Sequence, residues 1–341
     1  MNWHVQQATG LARNLGQLAA SSRRVAMILL VVALFAPSVI AWAPTGHHMV
    51  GVVAYELLSE ADREVVMDLL GHVPEFDRYF DPPSAITDSD SINRWRIGVA
   101  GAWPDIIRGM DLDRPTWHYQ LAASYVIGDA RPPTAPGPLP KTATLQTQQL
   151  YLEQAVELCE KIFADPSQPK PDRAIALCWM LHLYADGHQP CHSGSLYAPA
   201  LPDGDRGANR LRFQDGGNLH AAWDNLLGGD AVASDVRRRT LELGNVRGAM
   251  ALLHAKSNAG DDWFLPSTWL RESVQLASTH VYTDEVTGPI IAASRDLTDT
   301  IPPYRLSRDY FRAAGNVARQ RIKMAGYRVA FAIRRGIAAE M

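Results

Sequence analysis

HLYADGHQPCH at residues 182–192 and NLHAAWD at residues 218–224 are the two stretches that decide how this chain is interpreted. Each contains a histidine four residues before an aspartate, and side chains four apart lie on the same face of a helix. A further histidine follows the first pair, and another aspartate lies between the stretches. The six potential metal ligands are His182, Asp186, His192, Asp215, His220 and Asp224.

One histidine–aspartate pair is weak evidence for a metal, because an exposed ion pair or a helix cap often produces the same spacing. Two pairs within 43 residues, among apolar and aromatic side chains, are more specific. Nitrogen and oxygen ligands at this density suit zinc. We therefore interpret this part of the chain as a metal site.

An apolar run near the N-terminus is typical of a secretion signal. Two arginines precede the apolar residues 25–36, and the segment ends at Ala41. The run is shorter than the roughly 20 residues that a spanning helix needs, and small residues end it as in a signal-peptidase site. We predict that residues 1–41 are a signal peptide, exported by the general route more readily than by the twin-arginine route. Residues 42–341 would then be a secreted or periplasmic domain without stable membrane association.

The charge balance does not by itself indicate a nucleic-acid partner. The whole chain has a formal net charge of −3, and without residues 1–41 it has 30 basic against 36 acidic residues, or about −6. A basic stripe or tail, the usual electrostatic footprint of a nucleic-acid-binding protein, is absent from the sequence. Bound metal ions would concentrate positive charge in one place, so a phosphate substrate is not excluded.

The hydrophobic periodicity predicts a single all-α domain. Ser59 and Asp62 resemble a capping box at the start of a helix that ends at Gly71. Residues 72–100 are expected to be irregular, and a short β-hairpin near 208–214 is the most β-structure that the pattern indicates. Further helices are predicted at 146–164, 171–187, 218–228 (with Asn218 as N-cap), 233–256, 267–284 and 307–335.

The three cysteines are too few for a disulfide scaffold. Cys159 and Cys178 lie at similar distances from the turn of a predicted helical hairpin, so they are either a bridge or two free thiols. Cys191 lies beside a candidate ligand and is interpreted as a buried apolar thiol, with a thiolate ligand as the alternative.

Two more segments extend the candidate site towards the N-terminus. AWPDIIR, residues 102–108, contains an acid and an arginine three residues apart, and TWHY, residues 116–119, contains a histidine among aromatic residues. Each of these segments alone is more often structural than functional. Their order along the chain, together with the two stretches described first, makes them candidates for the same site.

In this order the segments resemble the secreted zinc-dependent single-strand-specific nucleases of fungi, plants and bacteria. Those enzymes also act as 3′-nucleotidases, and they share an all-helical fold with bacterial zinc phospholipase C. The resemblance covers the mature chain in WAPTGH (42–47), AWPDIIR (102–108), WHY (117–119), LHLYADGHQPCH (181–192), GANRLRF (207–213), GGNLHAAWD (216–224) and QRIKMAGYRVA (320–330).

The resemblance implies a site for three zinc ions. The first ion would be bound by Asp105, His118 and His182, with Asp186 bridging to the second. The second would also take His47 and the α-amino nitrogen and carbonyl oxygen of Trp42, which requires signal cleavage before Trp42. The third, more exposed ion would be bound by His192, His220 and Asp224.

The resemblance also implies the reaction. A hydroxide bridging the close zinc pair would attack phosphorus in single-stranded DNA, RNA or a 3′-nucleotide, giving 5′-phosphate products from the polymer. Asp105, Asp186 and Arg108 would be the catalytic residues, and Tyr119 would stack on a base. Leu121 departs from the family, which has a base-binding aspartate there, so little base preference is expected. The enzyme is expected to act as a monomer.

Two alternatives differ from this interpretation. A zinc phospholipase C would have the same fold, but that branch has a glutamate where Asp224 stands. A non-catalytic periplasmic zinc-binding protein would have no use for Arg108 beside the metals. The sequence leaves DNA against RNA preference and the biological role open.

Overall fold

The computed structural model describes residues 42–229, 233–257 and 260–339, so the predicted signal peptide lies outside the described residues. These ranges fall within one compact unit. Helices dominate them, which confirms the all-α prediction. In the described ranges thirteen α-helices occur: α1 (Pro44–Leu57), α2 (Glu60–Leu70), α3 (Phe76–Phe80), α4 (Ser89–Ile106), α5 (Leu152–Ala164), α6 (Lys170–Gly187), α7 (Pro190–Ser193), α8 (Leu219–Asp224), α9 (Ala233–Glu242), α10 (Val246–Ser257), α11 (Pro266–Leu276), α12 (Asp284–Arg295) and α13 (Arg308–Ala338).

The β-structure differs from the prediction. Strands β1 (Ala122–Val126) and β2 (Gly194–Tyr197) pair in parallel, with Ala122 opposite Gly194. The predicted hairpin near 208–214 contains only isolated bridges, one of them between Arg212 and Asn218. Parallel strands that lie far apart in the sequence leave no local signal, so β1 and β2 were not predicted. An alternating segment resembles a strand even where it has no neighbouring strand to pair with, so the hairpin prediction at 208–214 was wrong.

Three helix predictions need correction. The region 72–100, expected to be irregular, contains α3 and most of α4. Helix α4 begins there because Asp88 caps its first turn by accepting a hydrogen bond from the Ser91 amide at 2.8 Å. The single helix predicted at 233–256 is divided at Gly244, whose φ of 70° ends α9. The α-helix predicted at 267–284 ends at Leu276, and a π-helical turn over Ala277–Val281 follows it.

Other local signals are confirmed. Ser59 and Asp62 form the predicted capping box, and α2 ends before Gly71. Asn218 caps α8 by accepting from the Ala221 amide at 2.7 Å. The helix predicted at 307–335 is α13. In the described part of the chain, no helix is both long and apolar enough to cross a membrane.

Helices α1, α4, α6 and α13 pack around the main hydrophobic core. Gly51 and Gly101 allow the close approach of α1 and α4, since a Cβ at Gly51 would lie 2.4 Å from the Ile97 carbonyl oxygen and one at Gly101 would lie 2.8 Å from that of His47. This contact places the beginning of α1 beside the end of α4. The candidate ligands on these two helices are therefore brought together by backbone packing.

The cysteines and the tryptophans near the site are structural in this fold. All three cysteines are free and buried, so Cys159 and Cys178 are not bridged. Cys191 is completely buried, burial raises the pKa of its thiol well above the usual value, and the groups of side chains in the described residues that could hold a metal do not include it. The side chains of Trp103, Trp179 and Trp223 are buried, which supports their interpretation as packing residues.

Candidate metal centre

Six separate segments contribute the candidate ligands. His47 lies on α1 and Asp105 at the end of α4, while His118 lies in the turn before β1. The remaining ligands lie on three helices: His182 and Asp186 on α6, His192 on α7, and His220 and Asp224 on α8. The structure brings these side chains together as three groups of buried or nearly buried ligands, and in each group the ligand atoms lie within 4.8 Å of one another.

The first two groups share His182. Asp186 Oδ1 lies 3.4 Å from His47 Nε2, and Asp186 Oδ2 lies 3.0 Å from His182 Nε2 and 2.9 Å from His118 Nδ1. Asp105 Oδ2 lies 3.8 Å from His47 Nε2. The two oxygens of Asp186 therefore face different histidines, as a carboxylate that bridges two ions must.

The third group is formed by α7 and α8. Asp224 Oδ2 lies 3.4 Å from His220 Nε2, and Asp224 Oδ1 lies 3.8 Å from His192 Nε2. His192 Nδ1 also lies 3.9 Å from Asp186 Oδ2, so this group adjoins the other two. The i,i+4 spacing of His220 and Asp224 places both side chains on one face of a short helix.

Backbone carbonyls orient three of the imidazole rings. His182 Nδ1 lies 2.8 Å from the Gly101 carbonyl oxygen, His192 Nδ1 lies 2.8 Å from that of His118, and His220 Nδ1 lies 2.6 Å from that of Gly207. Only an N–H can satisfy a carbonyl oxygen, so Nδ1 carries the proton in each neutral ring. Each Nε2 then presents a lone pair to the site, in the arrangement typical of metal-binding histidines.

The donor set fits cations better than it fits the protein alone. His192 Nε2 and His220 Nε2 lie 3.1 Å apart, and neither carries a proton with which to bond the other. Two lone pairs at this distance repel each other unless a cation or a proton lies between them. Several buried atoms that face the site also lack any hydrogen-bond partner: both ring nitrogens of His47, Oδ2 of Asp105 and Oδ1 of Asp186.

The electrostatics of the buried groups agree with this fit. Burial lowers the pKa of His47, His118 and His192 well below its usual value, and it lowers the pKa of His220 to about 4. These rings are therefore neutral at pH 7 and have lone pairs available. Burial also raises the pKa of Asp224, because an ionised carboxylate is costly there without a nearby cation.

Arg108 and Tyr119 lie at the more open side of the centre. Arg108 donates from Nε and Nη2 to Asp105 Oδ1, at 2.8 and 2.6 Å, and its side chain is 21% exposed. Tyr119 is partly exposed, and its ring stacks on that of His192. A cation and an aromatic ring thus lie next to the candidate ligands, where an approaching phosphate and base could meet them.

Trp42 lies close to the helices that carry Asp186 and Asp224. Its buried indole Nε1 donates to the Ala185 carbonyl oxygen at 3.0 Å, and the amide of Ala43 donates to the Asp224 carbonyl oxygen at 3.0 Å. The main chain at Trp42 is therefore enclosed between α6 and α8. The spacing pattern alone did not indicate this placement, which had followed only from the resemblance.

Some residues that the sequence singled out do not join the centre. The Asp215 side chain is 86% exposed and lies 3.8 Å from Arg305 in a surface ion pair. His48 is buried against Trp95, and His254 stacks on Trp263. The Asp215 side chain, one of the six potential ligands, is therefore separate from the centre, and the two histidines pack against tryptophans.

Sequence reasoning missed one residue that contacts a candidate ligand. Gln189 Nε2 donates to Asp224 Oδ1 at 2.7 Å, and its Oε1 accepts from the Cys191 amide at 2.5 Å. Gln189 therefore orients a carboxylate that lies 35 positions away in the chain. No spacing rule connects an amide with such a partner; its position inside the HQPCH segment was the only available signal.

The comparisons with known proteins agree with this arrangement. A family model described as S1/P1 nuclease matches residues 42–337. No curated protein matches the chain. The match covers the candidate metal centre and every helix that builds it. It also includes α13 except for that helix's last residue. The chain belongs to the S1/P1 nuclease family.

Proposed function

We propose that this nuclease is a zinc-dependent phosphodiesterase that cleaves single-stranded DNA and RNA, leaves 5′-phosphates and also removes phosphate from 3′-nucleotides. The observation that carries this proposal is the 3.1 Å approach of His192 Nε2 to His220 Nε2, since two lone pairs at this distance repel each other and a metal cation bound by both would relieve the repulsion. The group of His192, His220 and Asp224 has the ligands expected for the third ion, and the other two groups contain the remaining histidine and aspartate ligands in a different division. Zinc suits a site built from histidine nitrogens and carboxylate oxygens.

Three residues of this chain would have separate roles in the reaction. Asp186 would bridge two ions with its separate oxygens, and Asp105 would bind one ion while positioning Arg108. The Arg108 guanidinium would bind the phosphoryl oxygens and stabilise the charge that develops on them. When bound, the zinc ions supply the nucleophile by lowering the pKa of a water to near 7, and they stabilise the departing 3′-oxygen.

Tyr119 would select unpaired substrates. Its partly exposed ring adjoins the third ligand group, so a base stacked on it would hold its phosphate near the metals. A paired base is stacked inside a duplex and cannot lie on this ring without unstacking. Single-strand preference therefore follows from geometry and requires no sequence readout.

We also propose that residues 1–41 direct export and are removed, which makes Trp42 the mature N-terminus. The burial of Trp42 between α6 and α8 supports this proposal, because only a free terminal amine could bind metal there. N-terminal sequencing of the protein purified from a periplasmic or culture fraction tests it. A start other than Trp42 would contradict the proposal.

The activity is tested with the mature protein, single-stranded DNA and RNA, and a duplex control, each with and without a zinc chelator. We expect chelator-sensitive release of 5′-mononucleotides from the single strands and little from the duplex. Release of 3′-phosphates would contradict the assigned leaving group. Failure to cleave any nucleic acid by a protein that retains three zinc ions would overturn the function, and phosphatidylcholine would then be the next substrate.

A further inference from the structure

Two arginines of α13, Arg321 and Arg328, are almost completely buried at the end of the ligand-bearing helix α6. Both belong to the QRIKMAGYRVA segment, and among the described residues neither forms a hydrogen bond or an ion pair with a candidate ligand. They share one carboxylate: Glu272 of α11 accepts from Arg321 at 2.7 Å and from both terminal nitrogens of Arg328 at 2.8 and 2.9 Å. Burying two cations costs desolvation free energy, and the hydrogen bonds and ion pairs of these arginines must offset that cost.

The first of these contacts satisfies the carbonyls at the end of α6. Arg321 Nε donates to the His188 carbonyl oxygen at 3.1 Å, and Arg321 Nη2 donates to Ser273 Oγ at 2.6 Å. Ser273 Oγ in turn donates to the Gly187 carbonyl oxygen at 2.6 Å. The final carbonyls of a helix have no partner within the helix, and a cation there also complements the helix dipole.

The second contact fixes the ring of His188. Its Nδ1 donates to the Tyr184 carbonyl oxygen at 2.7 Å, so its Nε2 accepts from Arg328 Nη1 at 2.9 Å. The ring also stacks on Trp269 of α11, with 5.0 Å between centroids. His188 is therefore held by its backbone, both of its nitrogens and one face of its ring.

The turn that these contacts hold connects two parts of the candidate metal centre. Asp186 lies two residues before His188, and His192 lies four residues after it. Between them, Gln189 donates to Asp224, so the turn also reaches the third ligand group through a side chain. A shift of this turn would move Asp224 and His192 relative to the ligands on α6.

We propose that Arg321, Arg328 and Glu272 are positioning residues that lock the turn at 187–189 and thereby complete the His192–His220–Asp224 metal site. The inference rests on the proposed function only in taking zinc as the ion. Contacts just outside the metal ligands typically change metal affinity by about 10- to 100-fold. The first two ligand groups depend less on this turn, because α1 and α4 hold His47 and Asp105, and because His182 and Asp186 lie on α6 before the turn.

The test compares zinc binding by the mature wild type with that of Arg328→Gln and Glu272→Gln. Arg335→Gln is the matched control, because Arg335 also lies on α13 and pairs with a glutamate, Glu160, at 2.6 Å, away from the turn. Each protein is equilibrated with zinc and increasing chelator well below its melting temperature, and bound zinc per chain is measured. If Arg328→Gln does not accumulate as a folded protein, Arg328→Lys and Glu272→Gln provide the comparison.

We expect Arg328→Gln and Glu272→Gln to fall from three zinc ions to two at a chelator concentration at least about 10-fold lower than the wild type or the control. Retention of three ions with the chelator profile of the control would overturn the inference, even if the melting temperature fell. Wild-type protein that binds three ions without cleaving nucleic acid would overturn only the proposed function. Wild-type protein that binds no zinc would overturn both.

Discussion

The Tyr119 ring lies nearly parallel to the His192 imidazole, with 4.7 Å between centroids and 17° between planes. An aromatic ring that could receive a base is thus packed directly on a candidate metal ligand. One face of the tyrosine is covered by the histidine, so a substrate base has to use the remaining exposed part. This contact connects base stacking with the position of the third ligand group.

Replacing Tyr119 with alanine should weaken substrate binding more than it weakens metal binding. Stacking of a base on an aromatic side chain is worth about 1–3 kcal/mol, so we expect KM for single-stranded DNA to rise about 5- to 100-fold. Tyr119→Phe keeps the ring and should retain a KM close to that of the wild type. Steady-state kinetics on a short oligonucleotide measures both. Equal KM values for the alanine and phenylalanine variants would argue against stacking.

Leu121 should make the enzyme nearly indifferent to base identity. Its φ is 47°, which is unusual for a leucine, and its Cδ2 lies 3.0 Å from where a Gly207 Cβ would stand. An apolar side chain there offers no hydrogen bond to a base edge. Initial rates on poly-A, poly-U and poly-C should therefore agree within about threefold, since no hydrogen bond distinguishes them. Leu121→Asp should introduce a preference, and a wild-type enzyme already selective for purines would contradict this prediction.

Replacing Arg108 with alanine should abolish turnover without emptying the metal centre. Arg108 contacts Asp105 through hydrogen bonds and is not itself a metal ligand. Loss of one preorganised donor to a developing oxyanion costs about 100- to 1,000-fold in kcat. Single-turnover rates combined with elemental analysis for zinc separate the two effects. A kcat within about tenfold of the wild-type value would show that the proposed role is wrong, because loss of such a donor costs more than this.

One extra residue before Trp42 should damage the centre. Trp42 is buried, and the Ala43 amide is bonded to the Asp224 carbonyl oxygen, so a chain that starts at Trp42, as we propose, would have little space to move there. A peptide nitrogen in place of a terminal amine cannot bind zinc. We expect a Gly-Trp42 form to lose bound zinc and about 100-fold in activity, at the upper end of the range for altered contacts around a metal site. The same glycine added after Met341 is the control.

Glu272 should make stability sensitive to acid. Burial alone raises its pKa, but the hydrogen bonds and charges of Arg328 and Arg321 outweigh burial and hold the pKa below its usual value. The unfolded state then binds the proton at a higher pH than the folded state does. The stability that Glu272 contributes is therefore present above the ordinary glutamate pKa, and it is lost as the pH falls through the pKa of Glu272 in the folded state.

Urea unfolding at saturating zinc, between pH 7 and pH 4, tests this contribution. Glu272→Gln should be less stable at pH 7 by about 2 kcal/mol, since its removal leaves two buried arginines unpaired while a 30% exposed side chain is partly screened. The difference from the wild type should shrink towards pH 4, whereas ligands common to both proteins titrate alike. A difference that is constant with pH would contradict the assignment.

The helices that the sequence predicted best are those with strong local signals. The Ser59 capping box and the Asn218 N-cap are both present, and the predicted helix 171–187 is α6 within one residue. The errors occur where a local signal was weak or misleading. Asp81-Pro82-Pro83 does interrupt helix, but α4 begins only six residues later, at Ser89. That helix carries Asp105 in its last turn.

The sequence by itself determined which residues could bind metal. A four-residue spacing places His182 beside Asp186, and His220 beside Asp224, on any α-helix, because the helical repeat alone sets that geometry. The ordered motifs also determined the family, which the match over residues 42–337 confirms. The individual roles of the ligands stay predictions.

Only the tertiary structure decided how these residues meet. The close packing of α1 on α4 brings His47 to Asp105. Hydrogen bonds to the carbonyl oxygens of Gly101, His118 and Gly207 determine which ring nitrogen of His182, His192 and His220 faces the site. The turn after α6 is held by two arginines more than 130 positions away. Such contacts depend on how distant segments fit together in three dimensions, and no periodicity along one segment encodes them.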